Sequence, residues 1–514
     1  MIGPYAIEKD YSQYVTKASA INYAVIGTAT RGPIGVPVLC TNTTDLLRKF
    51  GPASPDHLAL YAANYYLNAG STCYFVRASH MNTPSGGAPT PVATVATAVL
   101  KGTVGEQTNQ TVLTLNSVES GTFFNSLTIR AEKKSGSAEI DKIYMLKVFN
   151  PANELLESKQ FDLANDDPEY FSSAYIKIVS VVANAVSLNT EASDAVTMTG
   201  GTNGDVSTSG STVTTIITAN DYVYNANSLK SSLVDMNLFC MPGVTDKTAI
   251  ASMLQLAEDR GDCMFLVDPP QDCDTPDKVR AWADGTGTGS GNRLVSSYGA
   301  LYWSWQWILD QGKKVLVPPS VVLGYTFAKA ARDTELWFPV AGVQRGLVNG
   351  IYEPVYSPSQ EEVDGLYRED EAVNCIINDP TYGPVIWGQK TLLRGNTSLN
   401  RVNVRMLLNY LKKVIVAACK YLTFEPNDQV TWNQFEDMVE PTLSSIGNRR
   451  GMYEYKIVKG ESLVTDDDID NYRMPCKILI KPTKVAEEIP IYFVITSTGA
   501  DFNNVLEAEG IVEV

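Results

Sequence analysis

The spacing of hydrophobic and polar positions changes several times along the chain, and each change predicts a different kind of element. Residues 1 to about 20 are polar and dotted with tyrosine, alternating at Tyr11, Tyr14 and Val15, the pattern of an extended arm. Ala24-Val25-Ile26-Gly27 is a short apolar run closed by Arg31-Gly32-Pro33, which predicts a buried strand ending in a turn. Thr43 is placed to cap a short helix through Leu46, Leu47 and Phe50, stopped by Gly51-Pro52. Pro55-Asp56 opens a second helix in which Leu58, Tyr61, Tyr65 and Tyr66 recur at helical spacing. Asn68-Ala69-Gly70 ends it, and Cys73-Tyr74-Phe75-Val76 follows as a strand. Strand, helix, helix, strand is an α/β unit.

Between about 100 and 205 the period becomes two, at Thr111 to Leu115, Leu127 to Ile129 and Ile143 to Phe149, with Ser, Thr and Gly between the runs. Helix–strand alternation then resumes, so the β-rich stretch reads as an insertion. Leu238 to Met241, Met264 to Val267 and Val315 to Val317 are expected strands. Ala249 to Asp259 and a Trp-rich stretch from Leu301 to Leu309 are expected helices. From about 350 a third region begins, with a long helix from Arg401 to about Tyr421, broken by Glu425-Pro426-Asn427-Asp428. An amphipathic helix from Trp432 to Val439 follows, then strands at Ile478 to Ile480 and Ile491 to Ile495. The last dozen residues form a second tail with apolar Val505, Leu506, Ile511, Val512 and Val514. The expected fold class is a multidomain mixture of α/β and α+β. An N-terminal arm (1–20) precedes an α/β core (21–100 and 206–345) that carries a β-rich insertion (101–205). An α+β C-terminal domain (346–502) and a C-terminal arm (503–514) complete it.

Composition narrows the function. The 514 residues are 44% hydrophobic and 19% charged, which suits folded domains. Lys and Arg number 41 against 57 Asp and Glu, so the net charge is 41 − 57 = −16, the wrong sign for neutralising phosphates. No nucleic-acid partner is expected. No run approaches the ~18 apolar residues of a membrane span, and the first residues lack a signal-peptide pattern, so a soluble protein made in the cytoplasm is expected, with no membrane insertion. The eight cysteines are scattered without a C-x-x-C pair, and His57 and His80 are the only histidines, so the usual zinc spacings cannot be built.

Catalytic motifs are nearly absent. Gly285, Gly287, Gly289 and Gly291 lack the lysine of a phosphate loop and read as a loop. Asp466-Asp467-Asp468 with Asp470 lacks the glycine and terminal glutamate of a calcium loop and reads as a solvated turn. Neither histidine has a nucleophile at a recognisable spacing. No enzyme activity, catalytic residue, cofactor or metal is expected. One asymmetry remains. Between Asp379 and Glu425 there is no acidic residue, whereas Lys390, Arg394, Arg401, Arg405, Lys412, Lys413 and Lys420 all fall there. At about 100° per residue the last five share one arc of the long helix, opposite Val404, Leu407, Leu408, Leu411, Val414 and Ile415. A single-signed stripe on an acidic protein predicts an acidic partner.

Several blocks resemble the tail sheath proteins of contractile phage tails and related injection machines. Ala24 to Ala29 with Arg31-Gly32-Pro33 resembles the family's opening strand and turn, and Asn68 to Ser71 running into Tyr74 to Arg77 its next strand. Gly121 to Asn125 resembles its lead-in to an inserted domain, and Gly200 to Gly204 the return. Leu266 to Pro270, Tyr298 to Tyr302, Val317 to Ser320, Gly383 to Leu392, Asn403-Val404-Arg405 and Phe424 to Asp428 before Trp432 follow in the family's order. Phe123-Phe124 and Gln389-Lys390 depart from its commoner residues. The resemblance implies a structural subunit polymerising as stacked hexameric rings around a tail tube, contracting to drive the tube through the host envelope. It implies a place in the virion tail, or in a bacteriocin-type particle, with tail tube, baseplate and tail terminator proteins as partners. It also implies strand exchange between copies through the terminal arms, which agrees with reading Tyr11, Tyr14, Val15, Val505, Leu506, Ile511, Val512 and Val514 as arm residues. Arg401, Arg405, Lys412, Lys413 and Lys420 then become the expected face towards an acidic tube. A glycan-binding tail protein is the alternative from another class; against it, the insertion's aromatics sit at core-like positions.

Overall fold

The computed structural model describes residues 21–487 apart from 71, 84–86, 135–141, 166–169, 210–211, 287–290, 368–371, 396 and 461–462. The arm residues named above and the strand expected at Ile491 to Ile495 lie outside the described residues, as does the middle of the glycine series.

Among the described residues, eight strands form the main sheet. Their order is Pro37–Cys40, Cys73–Arg77, Tyr23–Gly27, Leu238–Cys240, Met264–Val267, Gly299–Trp303, Val373–Asp379 and Gly383–Trp387. The inner six run parallel and each outer strand is antiparallel to its neighbour. A sheet covered on both faces needs continuous apolar strands, and every residue of Tyr23–Gly27 and Gly299–Trp303 is buried. Alternate side chains divide between two cores. Tyr23 and Val25 face the layer holding helices Leu58–Leu67 and Ser320–Asp333; Ala24 and Ile26 face the layer holding Lys247–Arg260 and Pro276–Asp284. Gly27 is a close approach: a Cβ there would lie 2.1 Å from the Ala59 methyl.

Three expectations are corrected. Residues 301–309 are not a helix but the end of strand Gly299–Trp303 followed by strand Gln306–Asp310. Tertiary acceptors override the helical spacing: the Trp303 indole donates to Cys273 O (2.6 Å) and the Trp305 indole to Pro269 O (2.9 Å). The short helix after the second strand is Thr43–Phe50, but its capping side chain is Asn42, which accepts from Asp45 N. The boundary expected at 346 is crossed by the main sheet, whose last two strands come from 373–387. Helices Val402–Cys419 and Gln429–Asn448 then add Met406, Tyr410, Phe435 and Leu443 to the core containing Tyr23.

Asp268, at the carboxyl end of Met264–Val267, ties that strand to the first turn of helix Ser320–Asp333. Ser320 N donates to its Oδ1 (2.9 Å) and the Ser320 hydroxyl to its Oδ2 (2.6 Å). Burial outweighs these bonds and pushes the carboxyl up to about 6. The buried thiols respond likewise, Cys40 being pushed up to about 11.

The insertion is a β-sandwich. One sheet orders Leu155–Asp162, Ile143–Phe149, Thr128–Lys133 and Val196–Thr197; the other orders Ile176–Val181, Gln107–Ser120, Val95–Val104 and Ala185–Leu188. Burial alternates along Ile143–Phe149, and Leu100, Leu115, Phe124, Ile129, Leu146 and Phe161 meet in one interior. Phe124, Tyr144, Phe161 and Phe171 are therefore core residues. The first strand begins at Val95, ahead of the boundary expected at 101. Lead-in and return are locked together: Asn125 Nδ2 donates to Gly201 O (2.8 Å), Gly201 N donates back to Asn125 Oδ1 (2.7 Å), and Asn203 Oδ1 accepts from Thr122 N (2.9 Å). Gly121 (φ 147°) lets this junction touch the core, since a Cβ would lie 2.1 Å from Thr30 O. Arg77, fully buried, donates to Gly32 O and Ser120 O at 2.7 Å each, and the Arg31 guanidinium stands 4.4 Å from the Phe123 ring.

Two predictions follow from these joints. Arg77→Ala strands two buried carbonyls, and thermal unfolding should show a loss of ~3 kcal/mol, with early proteolysis at the junction near residues 94–121. For Asp268 the folded value lies above the unfolded one, so its contribution is full at low pH and disappears as pH rises through about 6. Denaturation midpoints of the wild type should therefore fall relative to Asp268→Asn between pH ~4 and ~6.

Candidate interaction surfaces around the long helix

Helix Val402–Cys419 carries the expected basic arc, and a 3-10 turn, Lys420–Leu422, extends it. The arc does not face solvent as a stripe. Its middle is docked on the loops that lead into the parallel strands. Asn409 Nδ2 donates to Cys263 O (3.1 Å), ahead of Met264–Val267. Lys413 donates to Asp235 (2.7 Å) and Met236 O, ahead of Leu238–Cys240, with Asp262 at 3.8 Å. Arg405 is buried, with its guanidinium 4.1 Å from the Tyr298 ring and bonded to the Ser297 hydroxyl, ahead of Gly299–Trp303. Burial lowers its pKa, against the pull of Tyr298 and Glu258.

Arg401, the N-cap residue, is engaged as well. It meets Glu487 through Nε and Nη2, both at 2.7 Å. Burial pushes the Glu487 carboxyl up, but Arg401, Gln389 and Tyr367 together hold it below the ordinary glutamate value. Lys412 and Lys420 are the members of the arc that stay exposed, Lys412 donating to the Tyr298 hydroxyl (2.7 Å). Four of the five residues, Arg401, Arg405, Lys412 and Lys413, thus bond to partners within their own subunit from the basic side of the helix. Tyr298 and Glu487 were missed as its partners, because 107 positions (405 − 298) and 86 positions (487 − 401) separate them from Arg405 and Arg401 and no local pattern links them.

From the last turn of this helix onward, exposed apolar side chains recur. Val416, Tyr421 and Val430 are each at least 60% exposed, and Phe424 is fully exposed on a left-handed backbone (φ 78°), uncommon for a bulky residue. Asp428 caps helix Gln429–Asn448 by accepting from Val430 N (3.0 Å) and Thr431 N (3.1 Å), and Asn427 accepts from the Trp432 indole (2.9 Å). The acidic run at 466–470 is a short helix, Asp466–Asp470, with Thr465 and Asp468 forming a capping box. Strands Met452–Val458 and Lys477–Pro482 pair only with each other among the described residues, which leaves both outer edges of this ribbon unpaired there. Its inner side rests on the helices through Tyr455, Ile457, Ile478 and Ile480, while Tyr453 and Leu479 are exposed.

Arg405→Ala removes a buried stacking and hydrogen-bonding cation, and should lower the stability of the isolated chain by ~2 kcal/mol in chemical denaturation. A surface role alone would leave stability unchanged.

Residues 395–496 match the phage tail sheath C-terminal domain family. The chain is 26% identical over 311 residues to the tail sheath protein of Vibrio phage KVP40, covering 56% of this chain and 46% of that protein. It is 27% identical over 277 residues to the tail sheath protein of Enterobacteria phage T4, covering 52% and 42%. These matches thus span less than half the length of either relative. In fold it is similar to the sheath tail protein Lin1278 from Listeria innocua (TM-score 0.62, 12% identity, 92% of this chain and 94% of that one). It is similar also to the helical sheath of the anti-feeding prophage in its contracted state (TM-score 0.52, 15% identity, 98% and 99%). Residues 395–496 are therefore similar to the phage tail sheath C-terminal domain, and over most of its length the chain has a fold like that of the sheath tail protein Lin1278.

Proposed function

We propose that the chain is a non-enzymatic subunit of a contractile sheath, assembled as stacked hexameric rings around a tail tube and shortened to drive that tube through a host envelope. Its place is the virion tail, built in the host cytoplasm, with baseplate and tail terminator proteins at the two ends. The domain division is an α/β core, the sandwich insertion, and a C-terminal part with two arms that lace copies together. The observation that carries this reading is the ribbon of Met452–Val458 and Lys477–Pro482, inside the stretch that matches the sheath C-terminal domain. A two-stranded ribbon whose edges are unpaired among the described residues is marginal by itself and a template for added strands. Arms from neighbouring copies, with Tyr11, Tyr14 and Val15 or Val505, Leu506, Ile511, Val512 and Val514 supplying the alternation, are the added strands.

Two contact strengths follow. Each main-chain hydrogen bond of an added strand contributes about 1 kcal/mol net, so one arm of several residues holds firmly while the lattice rearranges. Exposed ion pairs contribute about 0–1 kcal/mol each, which suits a tube surface that must be released. Of the five basic residues assigned to an acidic tube, the exposure of Lys412 and Lys420 supports that role for these two; Arg401, Arg405 and Lys413 are less exposed and bond within their own subunit.

Deleting 503–514 should leave a folded monomer that no longer polymerises, and full-length tubes from this truncation in negative stain would remove the arm from the mechanism. Lys412→Glu with Lys420→Glu should keep sheath self-association but abolish extended sheath on isolated tubes; normal decoration of tubes would refute the tube-facing role.

A further inference from the structure

Phe424 and Tyr472 share an unusual setting. Both are bulky, both are almost entirely exposed, and both hold a left-handed backbone (φ 78° and 57°) that glycine adopts at less cost. Neither ring packs into the interior, so the fold itself gains nothing from an aromatic at either position. Their two loops are joined. Asn427 Nδ2 donates to Arg473 O (2.9 Å), tying the turn before helix Gln429–Asn448 to the turn after helix Asp466–Asp470. Ile469 of that short helix is exposed as well. The polar residues of this tip are mostly acidic. Arg473 is taken up by Asp467 (3.2 Å) and Asp468 (3.4 Å), while Glu425, Asp466 and Asp470 are exposed and make no ion pair among the described residues.

The ribbon that carries this tip has the opposite sign. Tyr455, Ile457, Ile478 and Ile480 point inward, so alternation turns Glu454, Lys456, Lys477, Leu479 and Lys481 outward. Lys456 stands across from Leu479, Lys477 across from Val458, and Lys481 pairs with Glu454. Lys456 and Lys477 are exposed and make no ion pair among the described residues; Leu479 and Tyr453 add exposed apolar surface. One hairpin thus carries an aromatic, acidic tip and an apolar, basic face, and their unpaired charges do not meet within one chain.

We infer that the tip bearing Phe424 and Tyr472 docks on the outward face of the ribbon, at Lys456, Lys477 and Leu479, in a second copy of this chain. The inference rests on the reading of the chain as a self-assembling subunit, and it concerns the face of the ribbon, not the edges assigned to the arms. Tip and face are different patches. Their contact therefore runs head to tail and passes from copy to copy, the kind of interface that closes into rings or extends into helices. Each part has its own task. Exposed aromatic rings supply the anchoring contact, since such side chains dominate interface energies. The carboxylates and ammonium groups steer the approach and select the face.

The test uses two full-length chains of reversed charge. One carries Glu425→Lys and Asp470→Lys, which spare the capping box of Thr465 and Asp468; the other carries Lys456→Glu and Lys477→Glu. Each alone should need at least tenfold more protein to polymerise, by sedimentation and negative stain. An equimolar mixture should polymerise near the wild-type concentration, because each tip then meets a face of opposite sign. Polymerisation of either chain alone at the wild-type concentration, or no recovery on mixing, would overturn the contact. Phe424→Gly with Tyr472→Gly keeps both turns and removes both rings. It should raise the required concentration at least tenfold with no fall in the unfolding midpoint; a lower midpoint would give the rings to the fold and overturn their docking role. Protection of 463–473 from hydrogen exchange in the unpolymerised protein would show the tip covered by its own chain and overturn the contact between copies. Normal self-association of the glycine variant with loss of tube decoration alone would assign the tip to the tube and overturn it too. A wild-type chain that forms no polymer at all would remove the self-assembly reading and this contact with it, whereas wild-type polymers unaffected by either charge reversal would remove the contact only.

Discussion

A parallel sheet covered on both faces gathers loop carbonyls and carboxylates at the amino ends of its strands, and those groups need donors. The long helix supplies them. Asn409 reaches Cys263 O, Lys413 reaches Asp235 and Met236 O, and Arg405 lies under Tyr298 against Ser297. Polar residues on successive turns of one face therefore close three consecutive strands, while Met406, Tyr410 and Leu411 on the same helix enter the core beside Tyr23. The C-terminal region is part of the body because of this docking. The ribbon at 452–482 then builds on the fixed helix.

The insertion is bound to that body by an equally local device. Its outgoing and returning segments are bridged by Asn125 and Asn203, and the bridge is seated on Arg31, Arg77 and the Thr30 carbonyl. Arg77 is buried without a partner carboxylate; two carbonyls accept from its Nη1, and burial pushes its pKa down to about 10. These contacts join the sandwich to the core at its lead-in and return.

Blocks that are weak signals singly prove to be partners in space. The Asp268 block meets the Ser320 block as carboxylate and helix start. The Tyr298 block meets Arg405 as ring and cation. The lead-in at Gly121 to Asn125 meets the return at Gly200 to Gly204. Their order along the chain was legible, and their pairing was not, since each pair joins residues tens to over a hundred positions apart.

What the sequence determined by itself was periodicity and punctuation. Apolar runs marked Tyr23–Gly27 and Met264–Val267, and alternation marked Ile143–Phe149, because these depend on neighbours within a few residues. It also determined which side of the long helix is basic, since helical geometry alone sets that arc. The tertiary structure decided what each charge faces. Lys413 and Arg405 bond inside the subunit at part-buried or buried positions, whereas Lys412 bonds the Tyr298 hydroxyl yet stays exposed, because the acceptors sit on strand loops distant in sequence. It likewise decided that Trp303 and Trp305 lie in extended chain, since their indoles required carbonyls that only the folded sheet brings within reach.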